Sequence, residues 1–319
     1  MKKVKLLLAA SLVSLAGIFA GRAQDPYMSL KNSMPMFFNP ASAGDEQDTR
    51  VAVCYRNHYP ASGNGFATYS AAFDTYFDRS NSGFGIMFSS DQLGSKAYSY
   101  NTLSLFYSYK IQTGESTSLR AGLEVNPYYG IFDPGSLSFP DMINPDGVTD
   151  PNSFPYDRLS SLGIDFGCGA LFSSKAFEAG ASVRHIGSGG KNVYWARPLR
   201  LFVQAEWHIP IFGGPVYRPR TGVSRYLENS LLTPLAFLNT QNGTTLWGVG
   251  AFYHFLNFEA GVYERHNTDF NAFTTSFRIA FFSDVMNIDY TFDLGYTGKN
   301  FRGLSTSSHE IGVVLKFSR

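Results

Sequence analysis

Met286-Asn-Ile-Asp-Tyr-Thr-Phe-Asp-Leu-Gly-Tyr296 alternates without a slip. Met286, Ile288, Tyr290, Phe292, Leu294 and Tyr296 fall on one side of an extended chain, and Asn287, Asp289, Thr291, Asp293 and Gly295 on the other. Successive side chains of a strand point to opposite faces, so this stretch predicts a strand with one apolar and one polar face. The same period runs through Leu199–Ile209, where Leu199, Leu201, Val203, Ala205, Trp207 and Ile209 alternate with Arg200, Phe202, Gln204, Glu206 and His208, and through Leu119–Val125. A soluble sandwich also alternates, but three features point to a membrane. The apolar face spans about 11 residues, which matches a tilted transmembrane strand and exceeds the ~5–6 of an ordinary globular strand. Aromatics gather near strand ends, at Tyr107, Tyr109, Tyr128, Tyr129, Trp207, Tyr253, Phe281, Phe282, Tyr296 and Phe317, as in the interfacial girdles of outer-membrane barrels. The polar face carries charges of both signs, which a sandwich core would not bury unpaired.

Composition agrees with an exported barrel. Aromatics make up 16% of the 319 residues, with 29 Phe and 19 Tyr, and only 16% are charged, against roughly 25% in ordinary soluble domains. Lys2, Lys3 and Lys5 precede an apolar stretch from Leu6 to Phe19, and Gly21-Arg22-Ala23 offers small residues for cleavage, so residues 1–23 read as a signal peptide. Without that leader 22 basic residues face 25 acidic ones, a net charge of −3, which argues against nucleic acid as a partner. Cys54 and Cys168 are the only two thiols. They are no disulfide framework and read either as two small buried side chains or as a single bridge.

The expected fold is all-β: a transmembrane antiparallel barrel over 49–319 of about 14 strands. These fall near 49–58, 66–77, 82–91, 97–110, 116–129, 162–173, 175–185, 197–210, 226–239, 243–254, 256–266, 268–282, 285–296 and 307–317. An even count puts both ends in the periplasm, with short periplasmic turns and longer outer loops. Gly130–Ser161, Ile186–Arg197 and Thr297–Thr306 are the long outer connections. Ile211–Arg225 breaks the pattern, being long, basic and on the periplasmic side. Ahead of the barrel, residues 24–48 form a non-alternating segment with Met28, Met34, Met36, Phe37, Phe38 and three prolines. It is too apolar to lie free, so it should plug the barrel mouth or cover a partner.

No pattern points to catalysis, a metal or a cofactor. His58, His185, His208, His254, His266 and His309 are scattered without zinc spacing. Ser308-His309-Glu310 holds hydrolase residue types, but neighbours on a strand face opposite ways and cannot converge. The stretch 141–152 is rich in oxygen ligands yet lacks the Glu that closes an EF-hand, and it reads either as an ordinary surface loop or as a cation-binding loop. Gly187–Gly190 is followed by no helix pattern and is not a phosphate loop. The inward charges are Arg120, Glu124, Arg200, Glu206, Glu259, Arg265, Arg278, Asp289, Asp293, Glu310 and Lys316. Their mixed signs suggest a lumen cross-linked by ion pairs and closed, whereas a ring of one sign would suggest an ion-selective pore.

Both ends of the mature chain carry a resemblance. Gln24-Asp25-Pro26 leads to Phe38-Asn39-Pro40-Ala41-Ser42-Ala43-Gly44, and Asp289-Tyr290-Thr291-Phe292-Asp293 is followed by Ser308-His309-Glu310-Ile311. These resemble the opening and closing boxes of the PorP/SprF family of Bacteroidota outer-membrane proteins, with Phe38 where Leu is common. The resemblance implies a barrel of the type IX secretion and gliding-motility apparatus. Its implied partners are periplasmic apparatus or OmpA-like proteins and a large surface adhesin. The last strand, from Glu310 to Phe317, resembles the C-terminal signal read by barrel-assembly machinery, carried by Gly312, Leu315 and Phe317. Candidate partner-binding residues are Phe37, Phe38, Asn39 and Pro40 of the N-terminal segment, with Arg218, Arg220 and Arg225 of the long periplasmic loop. Outer-membrane lipid is the other partner. A passive channel for small solutes is the competing reading.

Overall fold

The computed structural model describes residues 25–60, 66–94, 97–133, 135, 137, 158–188, 197–212, 230–268, 272–297 and 306–317. The expected signal peptide, the whole loop 141–152, and Arg218, Arg220 and Arg225 lie outside the described residues. The strands are β1 (Thr49–His58), β2 (Phe66–Phe77), β3 (Ser82–Leu93), β4 (Tyr98–Gly114), β5 (Thr117–Phe132), β6 (Leu159–Ser173), β7 (Phe177–Ile186), β8 (Arg200–Trp207), β9 (Ile209–Phe212), β10 (Ser230–Gln241), β11 (Thr244–Phe255), β12 (Phe258–Asn267), β13 (Ala272–Phe282), β14 (Met286–Thr297) and β15 (Thr306–Phe317). Each pairs antiparallel with its neighbours. β1 pairs with β15 from Thr49 opposite Phe317 to His58 opposite Ser308, which closes the sheet into a barrel.

The barrel has 14 staves, because β8 and β9 are two halves of one. Both pair with β10 in a single register, Glu206 opposite Leu235 and Ile209 opposite Leu232. Pro234 falls in the gap between those pairs and has no N–H to give to the ladder. β4 and β5 reach further than the alternation indicates, to 17 and 16 residues.

The two faces follow the sequence pattern. Along β14, Asn287, Asp289, Thr291 and Asp293 are buried inside. Leu123, Ile279 and Val53 point out and are 61%, 61% and 50% exposed. In a bilayer this outer apolar belt is covered by lipid, and Tyr107, Tyr109, Trp207, Tyr253, Tyr296 and Phe317 stand on the same outer face. Two aromatics depart from the expected girdle. Tyr128 turns inward and stacks on Tyr100 at 5.4 Å, because it shares the alternate face of β5 with buried Glu124 and Asn126. Phe282 lines an internal cavity. The cysteines also correct expectation: both are free, Cys54 buried and Cys168 exposed. Cys168 stands opposite outward-facing Leu123, so it belongs to the lipid face, and no bridge joins the pair.

One end of the barrel carries the short connections 78–81, 115–116, 174–176, 256–257 and 283–285. The other carries 133–158, 187–199 and 298–305, together with a two-residue hairpin at Asn242-Gly243. Short periplasmic turns and long outer loops orient the molecule, with Thr49 and Phe317 at the periplasmic end.

Candidate functional site

The site is the lumen and the N-terminal segment threaded through it. Asp25 sits at the outer end. Its carboxylate accepts from Arg197 Nη1 at 2.7 Å and Arg200 Nη1 at 3.4 Å and meets His185 Nε2 at 2.8 Å, while its N–H donates to Gln241 Oε1 at 2.9 Å. Arg200 opens β8, Gln241 closes β10 and His185 is next to last in β7, so these partners mark the rim of the long-loop end. His185 Nδ1 in turn meets Asp165 at 2.8 Å, and Asp165 accepts from Asn126 at 3.0 Å.

The chain then descends. Arg265 lies 3.9 Å from the ring centre of Tyr27. Ser29 N–H and Leu30 N–H donate to the two oxygens of Glu310 at 2.7 and 3.0 Å. Arg56 ties this point to the wall, donating to Ser29 Oγ at 2.7 Å and Glu310 at 2.6 Å and pairing with Asp293. Lys31 pairs with Glu206, and Ser33 donates to Asp289, which also holds Arg278. A short helix follows, α1 (Pro35–Phe38). Proline suits its first position because its φ is already helical and its missing N–H is not needed there. Pro40 disfavours helical backbone at Asn39, whose φ of −146° is extended, and the helix stops.

At α1 the segment turns back toward the rim, where the Phe37 ring lies 5.0 Å from Arg200, and from there it descends along the wall. Arg184, chelated by Glu124, donates to Phe37 O at 2.9 Å, and Ser182 donates to Phe38 O at 2.6 Å. Asn39 accepts from Ala41 N at 2.9 Å and donates to Ala170 O at 2.9 Å. Ser108 donates to Ala43 O at 2.7 Å, and Gly44 N donates to Asp74 at 2.9 Å. At the periplasmic end Arg120 pairs with Asp45 at 3.1 Å, Arg50 with Glu46 at 2.7 Å, and Lys316 with Glu46 at 3.3 Å. The segment therefore spans the height of the lumen, from the outer rim to the start of β1.

The wall gives way to let it pass. A Cβ at Gly122 would lie 2.2 Å from Ala41 N, and one at Gly83 would lie 1.9 Å from Ala43 O. Only glycine admits backbone this close. Met28, Leu30, Met34, Met36, Phe37 and Phe38 are all 5% exposed or less. Burying such side chains contributes about 1.5–3 kcal/mol each, and breaking one of the buried ion pairs by removing a partner costs about 3–5 kcal/mol.

Phe37, Phe38, Asn39 and Pro40, the candidate partner-binding residues of the segment, are thus buried inside the barrel. Their apolar area and amide groups are matched by Arg184, Arg200, Phe202 and the β6–β7 backbone. All the expected inward charges point into the lumen. Sequence reasoning missed Arg50, Arg56, Asp74 and Arg184, and it missed Asp25, Ser29 and Ser33 as anchors. Their alternation within β1, β2 and β7 was the available signal for the first four. Ser308 and Glu310 face inward while His309 is exposed and meets Tyr290 Oη at 2.8 Å, so the Ser-His-Glu triplet does not converge. Gly312 faces the lumen against Ser33 and Leu30, whereas Leu315 and Phe317 point outward.

Fold and lumen together define a plugged outer-membrane β-barrel. The sequence profile of the type IX secretion system membrane protein PorP/SprF matches residues 20–315, and the chain belongs to that family. No curated protein matches it. Among solved structures it is similar to the CymD monoaromatic hydrocarbon channel, at 12% identity and a TM-score of 0.50 over 90% of this chain and 94% of that one. It is also similar to the TodX deltaS2S3 mutant monoaromatic hydrocarbon channel, at 11% identity and a TM-score of 0.50 over 96% and 98%. At these identities the likeness shows the barrel fold alone.

Proposed function

We propose that the protein is a closed barrel that serves the type IX apparatus by binding other proteins and not by conducting solutes or catalysing a reaction. The observation that carries this reading is the threaded segment, held to the wall by charged or hydroxyl side chains at every level from Asp25 to Glu46. A pore needs a continuous water path, and a segment fixed by buried ion pairs opposes one. Family membership supports contact with other secretion components. The finer reading is a periplasmic face that binds apparatus or OmpA-like proteins and an outer face that supports export or attachment of an adhesin. Arg218, Arg220 and Arg225 are the candidate periplasmic contacts, since guanidinium groups bind carboxylates in bidentate fashion. On the last strand, outward Leu315 and Phe317 with Gly312 are the candidate assembly signal.

Two measurements test this. In planar bilayers the intact protein should show little steady current, and deletion of residues 25–44 should open ohmic steps. Stable large steps from the intact protein would refute the closed barrel and favour the competing reading, a passive channel for small solutes. Reversing charge at Arg218 and Arg220 (R218E/R220E) should leave heat-modifiable gel mobility unchanged and reduce co-purification of periplasmic apparatus proteins. Undiminished co-purification would remove the loop from the partner surface.

A further inference from the structure

The outward side of β12 carries a carboxylate where lipid is expected. Val262 points out and is 44% exposed, and by alternation Glu264 and His266 share its side. Among the described residues, Glu264 is the one acidic residue that a strand turns outward, and no strand turns an Arg or Lys outward. Its depth follows from its neighbours. Two residues further on, His266 belongs to a row of stacked rings that crosses four staves. Trp247 lies 4.7 Å from His266, His266 5.8 Å from Phe273, and Phe273 4.8 Å from Tyr296. Such a row marks the membrane–water interface, here the outer one. A tilted strand climbs about 2.5 Å per residue, so Glu264 springs from a point about 5 Å below the row and about 15 Å above Phe258 in the periplasmic girdle.

The carboxylate is only partly answered by its own chain. His266 Nε2 meets Glu264 Oε2 at 3.4 Å, and the Glu264 side chain is still 51% exposed. A carboxylate has about four acceptor positions, and hydrocarbon fills none of them. Headgroups of the outer leaflet lie above the ring row and carry phosphate, which repels a carboxylate. A second copy of this chain would bring another Glu264 and no outward Arg or Lys from its described strands. What complements the spot is a basic side chain held at this depth by a different protein in the same membrane, since a charge-assisted bond to a carboxylate is strong where water is excluded. The shape of the wall admits one. Ala236, Ala251 and Ala260 stand opposite outward Val249, Val262 and Ile279, so the face below Glu264 is low and a second wall can come close.

We propose that the outer face of β10–β13 around Glu264 is a lateral docking surface for a second membrane-spanning protein, which presents an Arg or Lys to the Glu264 carboxylate within the outer leaflet. This rests on the reading that the barrel works by binding proteins, and it adds a contact inside the membrane to those at the two mouths.

Photo-crosslinking of the full-length protein in intact outer membrane tests it. Val262→p-benzoylphenylalanine should capture one membrane-spanning protein, identified by mass spectrometry, whereas Leu123→p-benzoylphenylalanine, on the far side of the barrel, should not. Glu264→Gln should reduce that adduct about tenfold or more, as expected for loss of a desolvated charge pair. Glu264→Lys should abolish it, and reversing the charge of the partner's basic residue should restore it. Heat-modifiable mobility should be unchanged throughout. No adduct, adducts to lipid alone, to a second copy of this chain or to a protein that spans no membrane, equal capture from Leu123, or an adduct undiminished in Glu264→Gln would each overturn the lateral surface. If periplasmic apparatus proteins still co-purify in that event, this face is rejected and the protein-binding reading stands; if they are absent too, that reading falls with it. Should Glu264→Lys fail to insert, Glu264→Gln decides.

Discussion

Gly122 and Leu123 stand side by side in β5 and face different media. Leu123 points to lipid and is 61% exposed in the bare barrel, whereas Gly122 presses on the backbone of Ala41. Leu123→Arg should therefore destabilise the inserted barrel by about 2–4 kcal/mol, read as a lower urea midpoint for loss of the compact gel form. Gly122→Val should leave the outer face intact and overpack the lumen, costing about 1–3 kcal/mol. Its signature should be faster protease cleavage at Lys31 with the wall still folded. If both variants lose the same property to the same degree, the assignment of the two faces is wrong. The faces themselves were legible from the period of two. What each inward residue pairs with was not, because Arg56 on β1 and Asp293 on β14 meet only after the barrel closes, and Arg184 and Glu124 meet only across the intervening β6.

Among the strands, alternation was informative where one face is polar and silent where neither is. In β14 it reproduced the observed faces residue for residue. β10, Ser-Leu-Leu-Thr-Pro-Leu-Ala-Phe-Leu-Asn-Thr-Gln, carries apolar residues on both faces, which hid the apolar inner patch formed by Leu235 and Phe237. Residues 24–48 declared by their composition that they needed cover. They have no period, so nothing local told that they run the height of the lumen. The split stave was equally hidden, because Pro234 matters only through the strand beside it. That split makes a prediction. β9 has four residues, all exposed, and meets β10 across a bulge at Ser230-Leu231, whereas β4 and β5 share a ladder running from Tyr98 to Gly114. Amides of Ile209, Ile211 and Phe212 should exchange with deuterium well before those in the middle of β4 and β5. Equal protection across these strands would show that the ladder is whole at this point.

At the level of the whole molecule, the wall is sealed by β1 on β15, and β1 begins where the lumen segment ends. The thread is thus enclosed by a seam made from the two extremes of the sheet. Its anchors at Arg200, Glu310 and Asp74 sit on β8, β15 and β2, staves spread round the circumference, so the full set of contacts is complete only when the seam shuts. The expected order of assembly follows: the leading residues lie in place before the first and last strands join. A barrel refolded without residues 25–44 should not regain its closed state when that stretch is supplied afterwards as a peptide, whereas refolding the two together should restore it, with bilayer current as the measure. Late addition that works as well as early addition would show that the thread can enter a finished wall. The sealed arrangement also makes the lumen content heritable within a single polypeptide: each barrel carries its own stopper through synthesis and never has to find one in the periplasm.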